Sequence, residues 1–226
     1  MKTRMNTFFP GAASVLLMMA LVCCKDTNGP VNTKIEDVAG SEEALNFMRT
    51  FDGRGLLTDS SRPMQPLDAL AKFRHPDDLA LDLVLSEPKI TQPVYINFDH
   101  RGRLWVVQYN QYPYPKGIKV MNMDQHMRAE YDKVPLPPPE GTKGADKISF
   151  FEDTDGDGKF DKAVDAITGL NIATSVEWGR GQIWVLDPPY LLAYPDPNQD
   201  GIPDGDPVVH LKGFGIEDTH AVANNL

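Results

Sequence analysis

Aspartates at alternate positions, followed by a glycine, are the feature of this sequence with the clearest chemistry. The segment "DTDGDGKFD" begins at Asp153, and "DPNQDGIPD" begins 43 residues later at Asp196. This spacing lets oxygen atoms converge within one turn, and calcium prefers oxygen ligands. The candidate ligands of the first loop are the side chains of Asp153, Asp155, Asp157 and Asp161 and the carbonyl of Lys159. Those of the second loop are the side chains of Asp196, Asn198, Asp200 and Asp204.

The residues that flank these loops argue against a calcium sensor. An EF-hand needs a glutamate at its twelfth position and a helix on each side. That position is Val164 in the first loop and Pro207 in the second, and the flanks resemble strands. Two interpretations stay open for each loop: a turn between strands that holds structural calcium, or a metal-free turn favoured by Asp and Gly alone. The second loop departs further from the pattern, at Asn198 and Pro203.

The segments around the loops repeat as well. "PVYINFDHRGRLWVVQ" at 93–108 and "ATSVEWGRGQIWVLD" at 173–187 each predict a strand, a turn with Arg-Gly, and a second strand entered through Trp105 or Trp184. The spacing of the acidic loops matches the length of one four-stranded propeller blade. The sequence therefore predicts an all-β protein, with a partial β-propeller of two to three blades over residues 79–226. A further unit that begins at "GFGIEDTHAVANNL" leads us to expect a larger propeller.

Short helices and a strand are predicted before the repeats. "SEEALNFMRTF" predicts a helix with Ser41 as its N-cap, and "PLDALAKF" predicts a second helix at 66–73. Leucines alternate with other residues in "LALDLVL" at 79–85, which predicts a strand with one buried face. A helical lead-in at 41–78 is therefore expected.

The N-terminus has the parts of a secretory leader. "MKTR" is cationic, "AASVLLMMALV" is too short for a stable membrane span, and both cysteines follow at once. "LVCC" resembles a bacterial lipoprotein cleavage box, which implies a signal peptide at 1–23, a lipid on Cys24 or, less well, on Cys23, and a flexible tether at 24–40. A plain signal peptide with incidental cysteines is the open alternative. The expected location is extracytoplasmic, on a bacterial membrane, facing the periplasm or the cell exterior.

Charge and missing motifs exclude several functions. The formal net charge is −10, and a chain without a Lys/Arg face does not bind the phosphate backbone of nucleic acid. The sequence has no Gly-x-Ser-x-Gly segment and no zinc-type histidine spacing, so a hydrolase of those classes has little support. It also has no Cys-x-x-Cys-His segment for covalent haem.

His220 is the candidate catalytic base. It lies in "EDTHAVANNL", where the repeat predicts the connection into a new blade, and its imidazole can take a proton from a substrate hydroxyl. Asp218 or Glu217 could orient it, and a structural role in a turn is the alternative. The other histidines lie in polar or turn contexts that predict solvated side chains: His75, His100, His126 and His210.

Three longer stretches, "FRHPDDLALDLVLSEPKITQPVYINFDHRGRLWVVQYNQYPYP", "FEDTDGDGKFDKAVDAITGLNIATSVEWGRGQIWV" and "GFGIEDTHAVANNL", together resemble the start of the membrane-bound dehydrogenase propeller family. That family belongs to the quinoprotein glucose/sorbosone dehydrogenase-like superfamily. The resemblance runs from about residue 66 to the end of the sequence. It implies a six-bladed type of propeller, pyrroloquinoline quinone (PQQ) as cofactor, a cytochrome c as electron acceptor, and His220 as the base. The strand that should follow "NNL" and the later blades with most quinone contacts do not occur here.

Two hypotheses of function follow. The first is the membrane-anchored N-terminal part of a quinoprotein-type dehydrogenase that oxidises sugars or other alcohols. The second is a non-catalytic, calcium-stabilised propeller lipoprotein that binds glycans or protein partners. The aromatic run "YNQYPYP", with Tyr109, Tyr112 and Tyr114, suits sugar stacking, although packing at the rim of a blade is the preferred interpretation.

Overall fold

The computed structural model describes residues 34–51 and 62–226, and in these ranges the chain is all-β with three short helices. The predicted signal peptide, Cys23, Cys24 and most of the predicted tether lie outside the described residues. The helices are α1 (Ile35–Val38), α2 (Glu42–Thr50) and α3 (Pro66–Leu70). The strands are β1 (Pro93–Phe98), β2 (Leu104–Gln108), β3 (Val120–Met123), β4 (Ala129–Tyr131), β5 (Asp146–Glu152), β6 (Lys162–Leu170), β7 (Ser175–Gly179), β8 (Gln182–Asp187), β9 (Tyr190–Pro195) and β10 (Val208–Lys212).

Two antiparallel sheets of four strands form the body of the protein. The first sheet has the order β1-β2-β5-β6, and the second has the order β7-β8-β9-β10. Strands β3 and β4 form a separate hairpin inserted between β2 and β5. Both hairpins predicted around tryptophan are confirmed, because β1 pairs with β2 and β7 pairs with β8, all antiparallel.

Because strands alternate in direction, the connections fall at two opposite ends of the sheets. The upper end, as we call it, carries the β2–β5, β6–β7 and β8–β9 connections and the segment after β10. The lower end carries the β1–β2, β5–β6, β7–β8 and β9–β10 connections, and so both acidic loops. This topology fixes which candidate residues can meet.

The main core lies between the two sheets. Trp105 of β2 is fully buried, with its ring centroid 5.0 Å from Phe150 and 4.9 Å from Trp178 of the second sheet. The sheets come closest at their first strands, β1 and β7. There the Tyr95 hydroxyl and the Asn97 amide donate to the Glu177 carboxylate at 2.8 and 2.7 Å. Apolar burial and these hydrogen bonds together hold one sheet on the other.

The two repeated tryptophans occupy equivalent places but different surroundings. Trp105 pairs with Asn97 and Trp184 pairs with Glu177, so the register of the two hairpins agrees. Neighbouring residues of a strand point to opposite faces. Because the residues beside Trp184 belong to the core between the sheets, its ring lies on the face turned away from the first sheet. It is half-buried there, 4.6 Å from the ring of His210.

Helix α2 confirms the predicted N-cap, since the Ser41 hydroxyl accepts a hydrogen bond from Ala44 N at 3.1 Å. The buried face of α2 is formed by Ala44, Phe47 and Met48, which pack on the β3–β4 hairpin. Of the predicted tether, the structure describes residues 34–40, in which residues 35–38 are helical and Val38 is buried in the same cluster. Helix α3 ends at residue 70 instead of the predicted 73.

The strand predicted at 79–85 is wrong. These residues form no strand, and Leu79, Leu81 and Leu83 are exposed, at 59, 44 and 41% of their full surface. Alternation supplies an apolar face, but a strand also needs a neighbouring strand for its backbone hydrogen bonds. Among the described residues β1 is the edge strand of its sheet and pairs with β2 alone, so residues 79–85 have no strand partner. Leu85 alone packs on the first sheet, beside Phe151. The first described strand therefore begins at Pro93.

None of the helices in the described part of the chain is both long enough and apolar enough to cross a membrane.

Candidate functional site

The upper end brings His220 together with two partners. His220 Nδ1 lies 3.1 Å from the Asp218 carboxylate, and His220 Nε2 contacts the Tyr112 hydroxyl. A carboxylate only accepts hydrogen bonds, so Nδ1 carries the hydrogen of the neutral ring and Nε2 is the acceptor. The structure therefore supplies the orienting contact expected of Asp218, whereas Glu217 makes no such contact with the ring among the described residues.

Tyr112 reaches His220 from the connection that follows β2. Its ring packs edge-on against the imidazole, with 5.3 Å between centroids, and lies 5.8 Å from the ring of Tyr109. The Tyr109 hydroxyl donates to the Thr219 carbonyl at 3.2 Å, which holds the two segments together. Burial and, secondarily, the Asp218 charge raise the pKa of Tyr112. The hydroxyl therefore stays protonated at neutral pH and can donate to His220 Nε2.

The arrangement can accept a proton from a substrate hydroxyl. The His220 side chain is 60% exposed, so a solute can approach its ring. A hydroxyl that replaces the Tyr112 hydroxyl at Nε2 would lie where the imidazole can take its proton. Beside Asp218, a groove of about 530 Å³ separates the β3–β4 hairpin from the segment after β10. The other four histidines have exposed side chains, as predicted: His75, His100, His126 and His210.

The first acidic loop gathers three of its predicted ligands. Carboxylate oxygens of Asp153, Asp155 and Asp157 lie within 4.8 Å of one another. Asp153 accepts from the N–H groups of Gly156 and Gly158 at 2.7 and 2.9 Å, and these bonds, the one from Gly158 most strongly, lower the pKa of its carboxyl group. Three clustered carboxylates repel one another unless a cation lies between them. The loop could therefore hold a divalent cation.

Asp161 does not join this cluster. Its carboxylate accepts from the Thr154 hydroxyl at 2.6 Å and from Thr154 N at 3.1 Å, and the hydroxyl bond is the main reason that its pKa is lowered. Asp161 thus closes the base of the loop between β5 and β6. Lys159, whose carbonyl was the remaining predicted ligand, donates its backbone N–H to Asp157 at 2.8 Å.

The second acidic loop has the same backbone pattern in a different environment. Asp196 accepts from Gly201 N at 3.2 Å, as Asp153 does from Gly158, but Asp196 is 4% exposed and burial raises its pKa. Its Oδ1 atom is enclosed without a hydrogen-bond partner among the described residues. Asn198 and Asp200 bond to each other at 3.1 Å. The predicted ligand Asp204 is exposed, and its backbone N–H donates to the Pro195 carbonyl at 2.8 Å.

Two arginines of the first hairpin hold the second acidic loop. Arg103 donates to Asp99 Oδ2 at 2.5 Å, inside the protein, and to the Asp200 carbonyl, while Arg101 donates to the Gln199 carbonyl at 3.2 Å. Gly201 passes so close that a Cβ atom there would lie 2.7 Å from the guanidinium of Arg103. Among the described residues only the first loop brings three carboxylates together, so the first loop is the stronger candidate for calcium.

Two of these contacts have no local signal in the sequence. Tyr112 and His220 are 108 positions apart, and Arg103 and Asp200 are 97 apart. Asp146 is a third residue that sequence reasoning missed. It is fully buried at the upper end and accepts hydrogen bonds from backbone N–H groups of two other segments. Nothing in "GADKISFF" distinguishes it from an exposed aspartate before a strand.

The fold and the site define an all-β protein with two stacked four-stranded sheets. At one end of the sheets His220 contacts Asp218 and Tyr112, and we call these three residues the His220 cluster. The chain belongs to a family described as "Domain of unknown function (DUF7133)", whose model matches residues 65–226. Comparison with curated proteins and with solved structures gave no match.

Proposed function

We propose that this chain is part of an extracytoplasmic dehydrogenase of the propeller type, in which His220 takes the proton from a hydroxyl group of a sugar or another alcohol. The observation that carries the proposal is the contact of His220 with Asp218 on one ring nitrogen and with Tyr112 on the other. A carboxylate at Nδ1 fixes the tautomer that leaves Nε2 basic. The exposed ring leaves room for a substrate at that atom.

The propeller form of this proposal is supported by the way the sheets repeat. Each sheet joins its strands in chain order, and the two approach most closely at their first strands. By register, Ile96 and Phe98 of β1 correspond to Val176 and Trp178 of β7, which pack against the first sheet. Ile96 and Phe98 are 63 and 59% exposed, so this face suits contact with another sheet. We propose that the sheets are successive blades, in the six-bladed arrangement that the resemblance implies.

The described residues around His220 do not by themselves suit PQQ, which carries three carboxylates. The groove beside Asp218 is lined by Asp124, Glu130 and Glu217, and its one cation, Arg128, already pairs with Asp124 at 2.6 Å. Alcohol oxidation also needs a hydride acceptor. We therefore assign to this chain only the binding of the hydroxyl and the removal of its proton, and the quinone and a cytochrome c acceptor remain proposals from the resemblance.

Dye reduction by the full natural protein, supplied with PQQ and Ca²⁺ and a panel of sugars and alcohols, tests the proposal. We expect substrate-dependent reduction that His220→Ala lowers by about 10²-fold to 10⁴-fold, the usual contribution of a general base. His126→Ala, which changes an exposed histidine of the β3–β4 turn, is the matched control and should leave the rate unchanged. No reduction with any substrate, or equal rates for the two variants, would rule the proposal out.

A non-catalytic glycan-binding lipoprotein is the second candidate function. It is favoured by Tyr112, which is 39% exposed beside a groove rich in hydrogen-bonding groups at the upper end. In that case the protein would bind glycans without reducing the dye, and Tyr112→Ala would weaken binding, because stacking on the ring would be lost.

Calcium in the first acidic loop is a further part of the proposal. Two of the clustered aspartates, Asp155 and Asp157, are exposed, so we expect a dissociation constant of about 0.1–1 mM, as in extracellular modules. Calcium at 10 mM would then stabilise the fold by about 1.4–2.7 kcal/mol. The loop lies at the lower end, opposite His220, so its role is structural.

Thermal unfolding with and without 10 mM CaCl₂ measures this effect. We expect Asp157→Asn to remove most of the calcium-dependent increase in Tm, because it takes one charge from the cluster. Asp200→Asn, the equivalent change in the second loop, should leave the increase in place. A calcium response that is unchanged in Asp157→Asn, or no response in the unmodified protein, would contradict a site in the first loop.

The membrane anchor is proposed from the sequence alone, because Cys24 lies outside the described residues. Cys24→Ala is expected to abolish incorporation of labelled palmitate in bacterial cells and to release the protein from the membrane fraction. Unchanged labelling in Cys24→Ala, with loss in Cys23→Ala, would move the lipid to the neighbouring residue, and no labelling of the unmodified protein would refute the anchor.

A further inference from the structure

A cavity beside the core between the two sheets is separate from the first acidic loop and from the His220 cluster, and Pro203 of the second acidic loop is among the residues that line it. It lies between the proline-rich loop that precedes β5, the end of β6 and the β8–β9 turn, and its volume is about 230 Å³. An apolar cavity of about 150 Å³ is enough to hold benzene. The cavity is therefore large enough for a small ring with one substituent.

The walls of this cavity combine apolar and polar groups in about equal measure. Tyr190 and Tyr194 of β9 and Ile167 of β6 contribute side chains, and the Tyr190 hydroxyl donates to the Pro135 carbonyl at 2.6 Å, which ties the proline-rich loop to the second sheet. Seven prolines also line the cavity: Pro135, Pro138, Pro139, Pro188, Pro189, Pro203 and Pro207. Because the proline ring fixes the backbone φ angle, these segments have little conformational freedom to lose when a ligand enters.

Asp187 is one of the acidic residues that line this cavity. Its side chain is only 3% exposed, and its Oδ1 atom accepts from Asn171 N at 3.1 Å. Among the described residues no donor reaches its Oδ2 atom. This atom is also absent from the set of fully enclosed polar atoms without a partner, so it keeps some exposed surface. Protein atoms therefore do not fully enclose Oδ2, and Asp187 is one of the residues that line the cavity. A buried carboxylate without enough hydrogen bonds is costly unless a ligand supplies them.

The other charges around Asp187 favour a cation. Asp206 also lines the cavity, and its charge and that of Asp187 both contribute to the raised pKa of Tyr194, after burial. Lys143 is the one cationic side chain of the lining, against two carboxylates. An anionic ligand would meet net repulsion in this cavity, whereas an ammonium group would complement it.

We propose that this cavity binds a small primary amine with a compact apolar body, whose ammonium group donates to Asp187 Oδ2. The rings of Tyr190 and the prolines enclose the apolar part of the ligand. Asp206 also lines the cavity and adds a second negative charge to the one on Asp187. This site is independent of the dehydrogenase proposal, because none of its residues contacts His220.

Three probes of the same shape test the proposal: benzylamine, benzyl alcohol and benzoate, titrated into the protein at pH 7.5 while backbone amide shifts are followed by NMR. Benzylamine is expected to shift the amide signals of Gly169 and Asn171, with a dissociation constant of 1 mM or below. Benzyl alcohol should bind at least tenfold more weakly, and benzoate should not bind. Equal affinities for the three probes, or shifts confined to other residues, would overturn the proposal.

Asp187→Asn should weaken benzylamine binding at least tenfold, while Asp165→Asn, an exposed aspartate of β6, should leave it unchanged. If Asp187→Asn does not fold, the pH dependence of the unmodified protein decides the matter. Burial raises the pKa of Asp187 to about 7, so the carboxylate forms as the pH rises from 6 to 8, while the amine keeps its charge. We expect binding to tighten several-fold over that range, and constant binding would contradict the role of Asp187.

Discussion

Trp105→Ala is expected to lower the free energy of unfolding by about 3–5 kcal/mol, the usual loss for removing a large aromatic side chain from a core. The ring is fully buried between the two sheets and contacts both Phe150 and Trp178. Its Nε1 atom also donates to Asp99 Oδ2 at 2.9 Å, so the substitution leaves a buried carboxylate with one partner fewer. Urea unfolding followed by far-UV circular dichroism measures the loss without depending on tryptophan fluorescence.

Trp184→Ala is the matched control, because Trp184 has the same register in the second hairpin but is half-buried on the face turned away from the core. We expect it to cost less than half as much as Trp105→Ala, since less apolar surface is lost. Equal losses of stability for the two variants would contradict the burial of Trp105 between the sheets and the position of Trp184 on the opposite face.

Asp146→Ala is expected to cost about 3–5 kcal/mol as well, for a different reason. The Asp146 carboxylate accepts from the backbone N–H groups of Gln111, Ile172 and Ala173 at 2.5, 2.6 and 2.9 Å. These donors belong to the β2–β5 and β6–β7 connections, and without the carboxylate they would be left with no partner inside the protein. Asp68→Ala, an exposed residue of α3, should change the stability by no more than about 0.5 kcal/mol.

From the raised pKa of Asp146 we predict that the free energy of unfolding falls as the pH rises. Burial raises the pKa of Asp146 to about 8, although its backbone hydrogen bonds act in the opposite direction, and burial raises that of Asp187 to about 7. An unfolded aspartate releases its proton near pH 4. Between about pH 4 and pH 8 the folded protein therefore binds more protons than the unfolded chain, so the free energy of unfolding decreases with pH.

We expect the unmodified protein to be less stable at pH 8 than at pH 5 by on the order of 2–4 kcal/mol. Asp146→Asn cannot titrate and should show a smaller decrease over the same range. Urea midpoints at pH 5, 6.5 and 8 measure both slopes, and a stability that stays level or increases with pH in the unmodified protein would contradict the raised pKa values.

The elements that the sequence predicted well are those whose signals are local. The two tryptophan hairpins combine alternation with a short turn, and both strands of each lie within 16 residues or fewer, so the pattern contains the partner as well as the strand. The segment at 79–85 has alternation but no partner, and it forms no strand. The β3–β4 hairpin was missed because its strands are only four and three residues long and show no alternation of comparable strength.

The contacts of the candidate site also differ in this way: those between residues close in sequence could be predicted, and those between distant segments could not. Asp218 is two positions from His220, so a contact between their side chains could be predicted from the sequence. Tyr112 contacts His220 from another sheet's connection, and the arginines of the first hairpin reach the second acidic loop across the interface between the sheets. Contacts of this kind depend on how the sheets stack, and a single sequence does not contain that information.

Contact between the indole rings of Trp105 and Trp178 is the most direct evidence for the stacking on which the fold, the histidine cluster and the predicted stabilities all depend. The ring centroids are 4.9 Å apart, and the two residues belong to different sheets. In a protein with labelled tryptophan, we predict nuclear Overhauser cross-peaks between the two rings, and between Trp105 and Phe150. Strands that form with the predicted register while these inter-sheet cross-peaks are missing would contradict the arrangement of the two sheets.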